Sequence, residues 1–210
     1  SGSSVDPMGY FLGISMGQQM SQSGFKAGDF DLDALQAGFG DGLSGKEPAL
    51  TSEQLRATQA KIEALLKERQ GERQAAMQKV AASKKEAGTK WLAANAKKEG
   101  VKSLEKGLQY KVLKSGTGPS PTASDTVRVH YTGKLTDGKV FDSSIERGEP
   151  VEFPVGRVIP GWTMALQKMK VGDKWMLYIP SDLAYGEQGS GGAIGPNEVL
   201  VFEVELLGVL

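Results

Sequence analysis

The sequence contains no cysteine and a single histidine, His130. The lack of cysteine excludes disulfides, thiol nucleophiles and thiolate metal sites. One histidine excludes a zinc site built on two or three imidazoles. A Ser-His-Asp triad would have to use His130, which we interpret as a structural or surface strand residue because it alternates out of register with Val129 and Tyr131. We therefore expect chemistry that uses neither a metal nor a cofactor.

An excess of one charge is also lacking, because Lys+Arg and Asp+Glu both count 25 in the 210 residues. We expect no nucleic-acid partner, since a balanced chain has no net field that would attract one. The Gly-rich stretch 186–195 lacks the Lys-Ser/Thr of a phosphate-binding loop. No apolar run approaches the roughly 18 residues of a membrane span, and no signal peptide is recognisable. Residues 1–6 are set aside, because a chain that starts with Ser is expected to be processed or to carry residues from cloning.

The composition changes near Gly100. Before it, the helix formers Ala, Lys, Glu, Gln and Leu dominate. After it, β-branched and aromatic residues alternate with polar ones, and Gly and Pro interrupt them. We predict an α+β protein with a helical dimerisation domain over 7–50, a long linking helix over 51–100 and an antiparallel-sheet domain over 101–210.

Three helices are predicted in the first half of the chain. The first covers residues 7–20, where apolar residues lie near helical spacing and a second stripe carries glycine at every fourth position. The second covers residues 32–43. The third begins at a capping box formed by Thr51 and Gln54, and it is expected to continue to Gly100.

The third helix has an apolar stripe at Leu55, Ile62, Leu65 and Leu66 but is nearly all charged, Gln or Ala from 67 to 90. A helix that is polar all round is typical of a solvated spacer. The stripe and two short helices cannot enclose a core by themselves. We therefore predict a homodimer through the N-terminal helices, in which a second copy supplies the missing surface. A monomeric helical bundle with a flexible tail is the alternative.

Alternating apolar residues after Gly100 predict an antiparallel sheet. Asp137-Gly138 marks a hairpin turn between two of its strands. One short helix is predicted to open at Pro160, because Trp162, Leu166 and Met169 recur at helical spacing. The alternating sets are Leu108, Tyr110 and Val112; Val127, Val129 and Tyr131; Trp175, Leu177 and Ile179; and Leu200, Phe202, Val204 and Leu206.

Five blocks in this second half resemble those of the FKBP-type peptidyl-prolyl cis-trans isomerases. Each block alone is a weak signal, but five in the family's order and spacing are specific. The helical half resembles the arm of the macrophage infectivity potentiator (Mip)-like bacterial subgroup, through Gly45-Lys46-Glu47-Pro48 and Ala94-Asn95-Ala96-Lys97. The five blocks are Val129-His130-Tyr131-Thr132-Gly133, Phe141-Asp142-Ser143-Ser144, Val158-Ile159-Pro160-Gly161-Trp162, Leu183-Ala184-Tyr185-Gly186 and Leu200-Val201-Phe202-Glu203-Val204.

The resemblance implies a half-barrel sheet wrapped on one short helix, with a pocket between them. Trp162 would form its floor, and Asp142 would be its chief polar group, steadied by Arg147. The Ile159 N–H and the Tyr185 hydroxyl would hold a bound peptide or macrolide. By matching positions, catalytic roles are expected for Tyr131, Phe141, Asp142, Trp162, Tyr185 and Phe202, and substrate-binding roles for Arg147, Val151, Phe153, Val158, Ile159, Leu183 and Ile194.

The same resemblance implies a peptidyl-prolyl isomerase that accelerates rotation about X–Pro bonds and assists protein folding as a homodimer. Rotation faces a barrier of about 18–20 kcal/mol that is set by amide resonance. Because the twisted amide is less polar than the flat one, a dry apolar pocket binds it preferentially. The expected ligands are proline-containing peptides, unfolded proteins and macrolides such as rapamycin.

Two other functions stay open at this point. One is a peptide-binding chaperone or surface interaction module with isomerase activity secondary, and the other is a structural coiled-coil spacer. The resemblance implies the cell envelope of a Gram-negative bacterium, either periplasm or outer-membrane surface, with the cytoplasm as the alternative. Differences from single-domain members at Val151, Leu183, Ser190 and Ala193 bear on ligand preference.

Overall fold

The computed structural model describes residues 4–210 and divides into two compact units, one ending at Met77 and the other beginning at Gln78. The first half is helical, with α1 (Pro7–Ser23), α2 (Leu32–Ser44) and α3 (Ser52–Asn95). The predicted capping box is confirmed, because Thr51 N–H donates to Gln54 Oε1 at 2.9 Å and Gln54 N–H donates to Thr51 Oγ1 at 3.1 Å. The prediction that α3 continues to Gly100 was wrong, since the helix ends at Asn95 and turns follow it.

The loop between α1 and α2 is attached to α3 by an arginine. Gly24 ends α1 in the left-handed region, at a φ of 112° that favours glycine. Arg69 Nη1 donates to Gly24 O at 2.9 Å, and the same guanidinium forms a two-pronged ion pair with the Asp29 carboxylate. The hydrogen bond from Arg69 lowers the pKa of Asp29 from 3.8 to about 2. Arg69 thereby holds this loop against α3 within the first unit.

The helices of the first unit leave their apolar faces uncovered. Neither α1 nor α2 buries a residue within the part of the chain that the structure describes. A groove of about 710 Å³ runs between them, and its apolar wall is formed by Leu12, Met16, Met20, Phe25, Phe30, Leu32, Leu35 and Phe39.

The second half is an antiparallel sheet that surrounds one helix. The strand order is β1-β2-β6-β7-β3-β4, and β5 pairs with β3. The longest strands, β3 and β7, pair over most of their length and form the centre of the sheet. The strands are β1 (Val101–Ser103), β2 (Gln109–Lys114), β3 (Thr126–Leu135), β4 (Val140–Ser143), β5 (Val151–Pro154), β6 (Lys174–Ile179) and β7 (Leu200–Val209), and the helices are α4 (Ser144–Arg147) and α5 (Pro160–Lys168).

The core lies between the sheet and α5. The predicted inward face of β7 is confirmed, because Leu200, Val204 and Leu206 have no exposed surface and Phe202 is 5% exposed. The predicted hairpin turn is also present, with Gly138 at a φ of 89°. Pro160 begins α5, a position where its missing N–H costs nothing. The buried residues of α5 are Gly161, Trp162, Ala165 and Leu166, and Met169 follows its last turn with no exposed surface.

The burial predicted for the apolar positions of β2 was wrong for Val112, which is 38% exposed. Gln109, a polar residue at the start of the same strand, is buried instead. Gln109 is buried because its amide has partners on α3. Asn95 Nδ2 donates to Gln109 Oε1 at 2.9 Å, and Gln109 Nε2 donates to Leu92 O at 2.9 Å. A buried amide is tolerated when its donors and acceptors are satisfied. The last turns of α3 therefore pack on the sheet as part of the second unit.

The Asp29–Arg69 pair predicts a loss of stability in acid. A carboxyl whose pKa is lowered on folding contributes stability above its unfolded value, and that contribution is lost as the pH falls through the folded value. The window here runs from about 4 to about 2. Circular dichroism of thermal unfolding at several pH values should show this loss in the helical signal. Asp29→Asn should flatten the pH dependence, whereas Asp33→Asn should leave it unchanged.

Candidate active site

A cavity of about 480 Å³ opens between the sheet and α5. Its wall brings together side chains from β3, β4, β5, β7, α5 and the loop after β6. All of them except Arg157 carry a site role predicted from the sequence. The lining residues are Tyr131, Phe141, Asp142, Phe153, Arg157, Val158, Ile159, Trp162, Tyr185 and Phe202.

Trp162 lies at the centre of an aromatic cluster and is 4% exposed. Its ring meets Tyr131 at 5.3 Å and 84°, Phe153 at 5.6 Å and 84°, and Phe202 at 5.2 Å and 85°. Such edge-to-face pairs each contribute about 0.5–1.5 kcal/mol beyond their buried area. The three partners stand on adjacent strands β5, β3 and β7. The first turn of α5 brings Trp162 against all of them.

Gly133 allows two phenylalanine rings to close one side of the cavity. It pairs with Asp142 on β4 and with Phe202 on β7. A Cβ at this position would lie 2.6 Å from Phe141 Cζ and 2.6 Å from Phe202 Cε1. Real Cβ atoms do not approach other atoms so closely. The missing side chain therefore makes room for the Phe141–Phe202 contact, in which the rings are 5.5 Å apart and perpendicular.

The polar side of the cavity is a hydrogen-bonded group of three residues. The Tyr131 hydroxyl donates to Asp142 Oδ2, and Arg147 Nη1 donates to Asp142 Oδ1. Arg147 Nη2 also donates to the Tyr131 hydroxyl at 3.0 Å. Burial acts to raise the pKa of Asp142, but the hydrogen bonds from Tyr131 and Arg147 outweigh it, and the pKa is lowered. Burial, followed by the bond to Asp142, raises the pKa of Tyr131. At neutral pH the carboxylate is therefore charged and the phenol is protonated, so neither is poised to exchange a proton.

A buried serine supports this group from behind. Ser144 Oγ accepts from Tyr131 N–H at 2.8 Å and lies 2.9 Å from His130 Nδ1. Ser144 has no exposed surface. His130 thus contacts the back of the wall and is absent from the lining of the cavity. Its structural role agrees with its place in the alternation of β3.

Two polar groups at the mouth of the cavity are available to a ligand. Tyr185 lines the opening and is 42% exposed. Ile159 precedes α5, and its carbonyl accepts from Trp162 N–H at 2.9 Å. Among the hydrogen bonds within residues 4–210, none uses the Ile159 N–H. The Trp162 indole N–H is likewise buried without a partner in the described chain.

Some predicted site residues do not reach the cavity wall. Leu183 and Ile194 are 6% and 5% exposed and belong to the hydrophobic core. Val151 is half-buried on β5, where it pairs with Val129. Arg147 acts on the cavity only through Asp142 and Tyr131, as described above. These placements distinguish the residues that form the surface from those that support it.

Arg157 is a lining residue that the sequence did not predict. It ends the 3-10 turn after β5 and is exposed. Its one signal in the sequence is its position directly before Val158-Ile159. No cluster of three or more His, Asp or Glu that could hold a metal is found within residues 4–210. Among the helices described there, none combines the length and apolar character of a membrane span.

Comparison with known proteins agrees with this geometry. Residues 118–207 match the family described as FKBP-type peptidyl-prolyl cis-trans isomerase. Residues 5–112 match the domain amino terminal to FKBP-type peptidyl-prolyl isomerase. The chain belongs to the FKBP-type peptidyl-prolyl cis-trans isomerase family. The family, the fold class and the isomerase activity predicted from the five blocks are therefore confirmed.

Three relatives match this FKBP-type protein over nearly its full length. It is 50% identical to the FKBP-type 22 kDa peptidyl-prolyl cis-trans isomerase of Escherichia coli (strain K12), over 96% of this chain and 93% of that protein. It is 43% identical to the outer membrane protein MIP of Legionella longbeachae, over 97% and 85%. The crystal structure of FkpA from Escherichia coli matches with a TM-score of 0.69 and 42% identity, over 96% of this chain and 94% of that one. The predicted similarity to the Mip-like subgroup is confirmed.

The role of Gly133 predicts a sharp difference between two glycines in paired strands. Gly133→Ala forces Phe141 and Phe202 to move, and overpacking of this kind lowers the free energy of unfolding by about 1–3 kcal/mol. Gly208→Ala on β7 meets no atom within 4 Å and should change it by less than about 0.5 kcal/mol. Urea unfolding followed by tryptophan fluorescence compares the two. Equal midpoints would contradict the packing described here.

Proposed function

We propose that the cavity around Trp162 is the active site, and that it holds the proline ring while the preceding amide rotates. The observation that carries this proposal is the cluster of perpendicular rings that encloses about 480 Å³ without filling it. A five-membered ring fits such a space, and the surrounding aromatic surface offers few polar partners. The family acts on X–Pro bonds, and this cavity is the place where such a bond leaves water.

The acceleration follows from the change in polarity during rotation. A planar amide is stabilised by resonance that puts negative charge on its oxygen, and this resonance sets the barrier of about 18–20 kcal/mol. The twisted amide loses that charge separation, so water stabilises it less than the planar form. A dry aromatic wall reverses this preference. Each 1.36 kcal/mol gained by the twisted form over the flat one raises the rate tenfold.

The polar groups hold and orient the peptide without proton transfer. The Tyr185 hydroxyl and the Ile159 N–H are placed to bond carbonyl groups on either side of the proline. Asp142 already accepts hydrogen bonds from Tyr131 and Arg147, so its charge is used to fix the Tyr131 ring in the wall. Binding energy from the flanking residues then serves to orient the reacting bond.

The ligands of this site are proline-containing peptides and unfolded protein segments. Macrolides such as rapamycin use the same cavity, because they present a ring and flanking carbonyl groups to it. Val151 and Leu183 pack behind the wall, where larger side chains would press on it, and Arg157 adds a positive charge to the lining. We therefore expect these three positions to shape ligand preference.

We also propose that the N-terminal arm forms a homodimer. The groove between α1 and α2 is apolar, and Phe11 and Met8 beside it are 69% and 75% exposed. In a two-fold interface the same surface of each chain meets its copy, so the groove of one chain would be covered by the exposed apolar side chains of the other. The glycine stripe of α1, Gly9, Gly13 and Gly17, lets a helix of the second chain approach closely. Two linked sites would bind one client chain with higher apparent affinity.

A chaperone activity of the arm is a second candidate, favoured by the same exposed apolar surface. It predicts suppression of aggregation of an unfolded protein that survives Trp162→Leu. For the location, we propose the cell envelope of a Gram-negative bacterium, because the Legionella longbeachae relative is named an outer membrane protein. Fractionation of the native source distinguishes this from the cytoplasm.

The site assignment predicts losses of activity in three variants. Trp162→Leu, Asp142→Ala and Tyr185→Phe should each lower kcat/KM for a proline tetrapeptide in a protease-coupled assay. The largest loss, roughly tenfold or more, is expected for Trp162→Leu, because the wall of the cavity is removed. Tyr10→Phe in α1 removes a hydroxyl far along the chain and serves as the control. An unchanged kcat/KM in all three site variants would contradict the assignment of the active site.

The proposed homodimer should dissociate into single chains when carboxylates are introduced into the groove between α1 and α2. Leu12→Glu and Phe39→Glu put carboxylates on a surface that a partner must desolvate, which is unfavourable. Sedimentation should then show the mass of one chain, 22.3 kDa, while the unaltered protein sediments at twice that value. Gln18→Glu adds the same charge to an exposed position outside the groove and should leave the dimer intact. A monomer in the unaltered protein rules the proposal out.

A further inference from the structure

The loop that carries Tyr185 is attached to α3 by one asparagine. Asn197 Nδ2 donates to Ala81 O at 2.8 Å, and the Asn197 backbone N–H donates to Gly186 O at 2.9 Å. One residue therefore links the backbone of α3 to the residue that directly follows Tyr185. Asn197 adopts a φ of 52°, a conformation in which asparagine is one of the few tolerated side chains.

Lysines on the same face of α3 contact both ends of this loop. Lys85 Nζ lies 2.6 Å from Asp182 Oδ1 and donates to Ser181 Oγ at 3.3 Å. Lys84 Nζ lies 3.2 Å from Glu198 Oε1. Ion pairs with exposed partners contribute little on their own. The bonds of Asn197 are therefore the principal attachment, since Ala81 is only 4% exposed.

Gly88 allows α3 to lie close to Asn197 and Val199. A Cβ on Gly88 would stand 2.9 Å from Val199 Cγ2 and 3.8 Å from Asn197 O. Val199 is 3% exposed, so its side chain has little freedom to move away. Glycine inside a helix is ordinarily unfavourable relative to alanine. Here it permits the contact that brings Asn197 to Ala81.

We infer that Asn197, seated on α3 beside Gly88, is a positioning residue that holds the Tyr185 hydroxyl at the mouth of the active site. The inference rests on the proposed role of Tyr185. That side chain is 42% exposed, so the cavity itself provides few contacts to fix it. The flanking loop contains Gly186, Gly189 and Gly191 at positive φ, and glycine loses more conformational freedom on ordering than any other residue. The bonds from α3 supply the missing restraint.

Asn197→Gly tests this role because glycine keeps the positive φ and removes only the side-chain amide. With the full-length protein, kcat/KM for a proline tetrapeptide should fall roughly three- to tenfold, since a small misplacement of a binding group is costly. The loss should come mainly from a higher KM. Amide hydrogen exchange at Tyr185 and Gly186 should become faster. Lys90→Gln removes a charge elsewhere on α3 and should change none of these values.

A double-mutant cycle separates positioning from a general loss of stability. In the Tyr185→Phe background the hydroxyl is already gone, so Asn197→Gly should have little further effect. Equal losses in both backgrounds would overturn the inference. A value within twofold of the parent for Asn197→Gly, when Tyr185→Phe itself is impaired, would do so as well. If Tyr185→Phe has no effect, the role of the Tyr185 hydroxyl and this inference fail together, while Trp162→Leu and Asp142→Ala still test the site itself.

A second variant decides the matter if Asn197→Gly does not fold. Gly88→Ala forces α3 away from Val199, and it should lower kcat/KM and speed exchange at Tyr185 as the first variant does. Gly71→Ala is the matched control, because it also lies inside α3 and meets no atom within 4 Å. It should leave activity unchanged. The same result for both glycine variants would show that the contact of α3 with Asn197 has no part in activity.

Discussion

The isomerase domain depends on three rings that stand nearly perpendicular to Trp162 and line the same cavity with it. Tyr131, Phe153 and Phe202 stand at 84° to 85° to the indole plane. In such perpendicular pairs the positive edge of one ring meets the negative face of the other, which stabilises the cluster. The sheet positions the three rings, the first turn of α5 brings Trp162 against them, and Gly133 makes room for Phe141 beside Phe202. A stable apolar wall and an empty cavity are thereby obtained from the same contacts.

The charged groups around the cavity are arranged to support the wall. Asp142 holds Tyr131 and is held by Arg147, and the pKa shifts of Asp142 and Tyr131 keep both in their ordinary charge states. Ser144 fixes the Tyr131 backbone from behind. The site therefore has polar contacts without an acid or base of suitable pKa. This suits a reaction in which no covalent bond is broken and the barrier lies in amide resonance.

Much of the fold and of the cavity could be predicted from the sequence, because alternation marks the faces of strands and five ordered blocks mark the family. The features that the sequence does not reveal have a common cause, because they depend on contacts between residues far apart in the chain. Gln109 is buried because Asn95 on α3 bonds its side chain, and the alternation of β2 gives no sign of a partner on another element. Leu183 and Ile194 occupy positions that match substrate-binding positions of the family, but their side chains lie in the core. The direction of a loop side chain depends on packing, which the sequence does not display. Arg157 and Asn197 lie outside the five blocks, and only the folded structure brings them to the cavity and its loop.

The central claim is that the barrier falls because the amide leaves water, with no proton transferred by the protein. The solvent deuterium isotope effect on kcat/KM for a proline tetrapeptide tests this most directly, measured across neutral pH with the full-length chain. Rotation in a dry cavity breaks no bond to an exchangeable hydrogen, so the ratio of rates in light and heavy water should stay close to one and should not vary with pH. A large normal isotope effect, or a rate that follows the titration of one group, would show general acid-base catalysis and contradict the account.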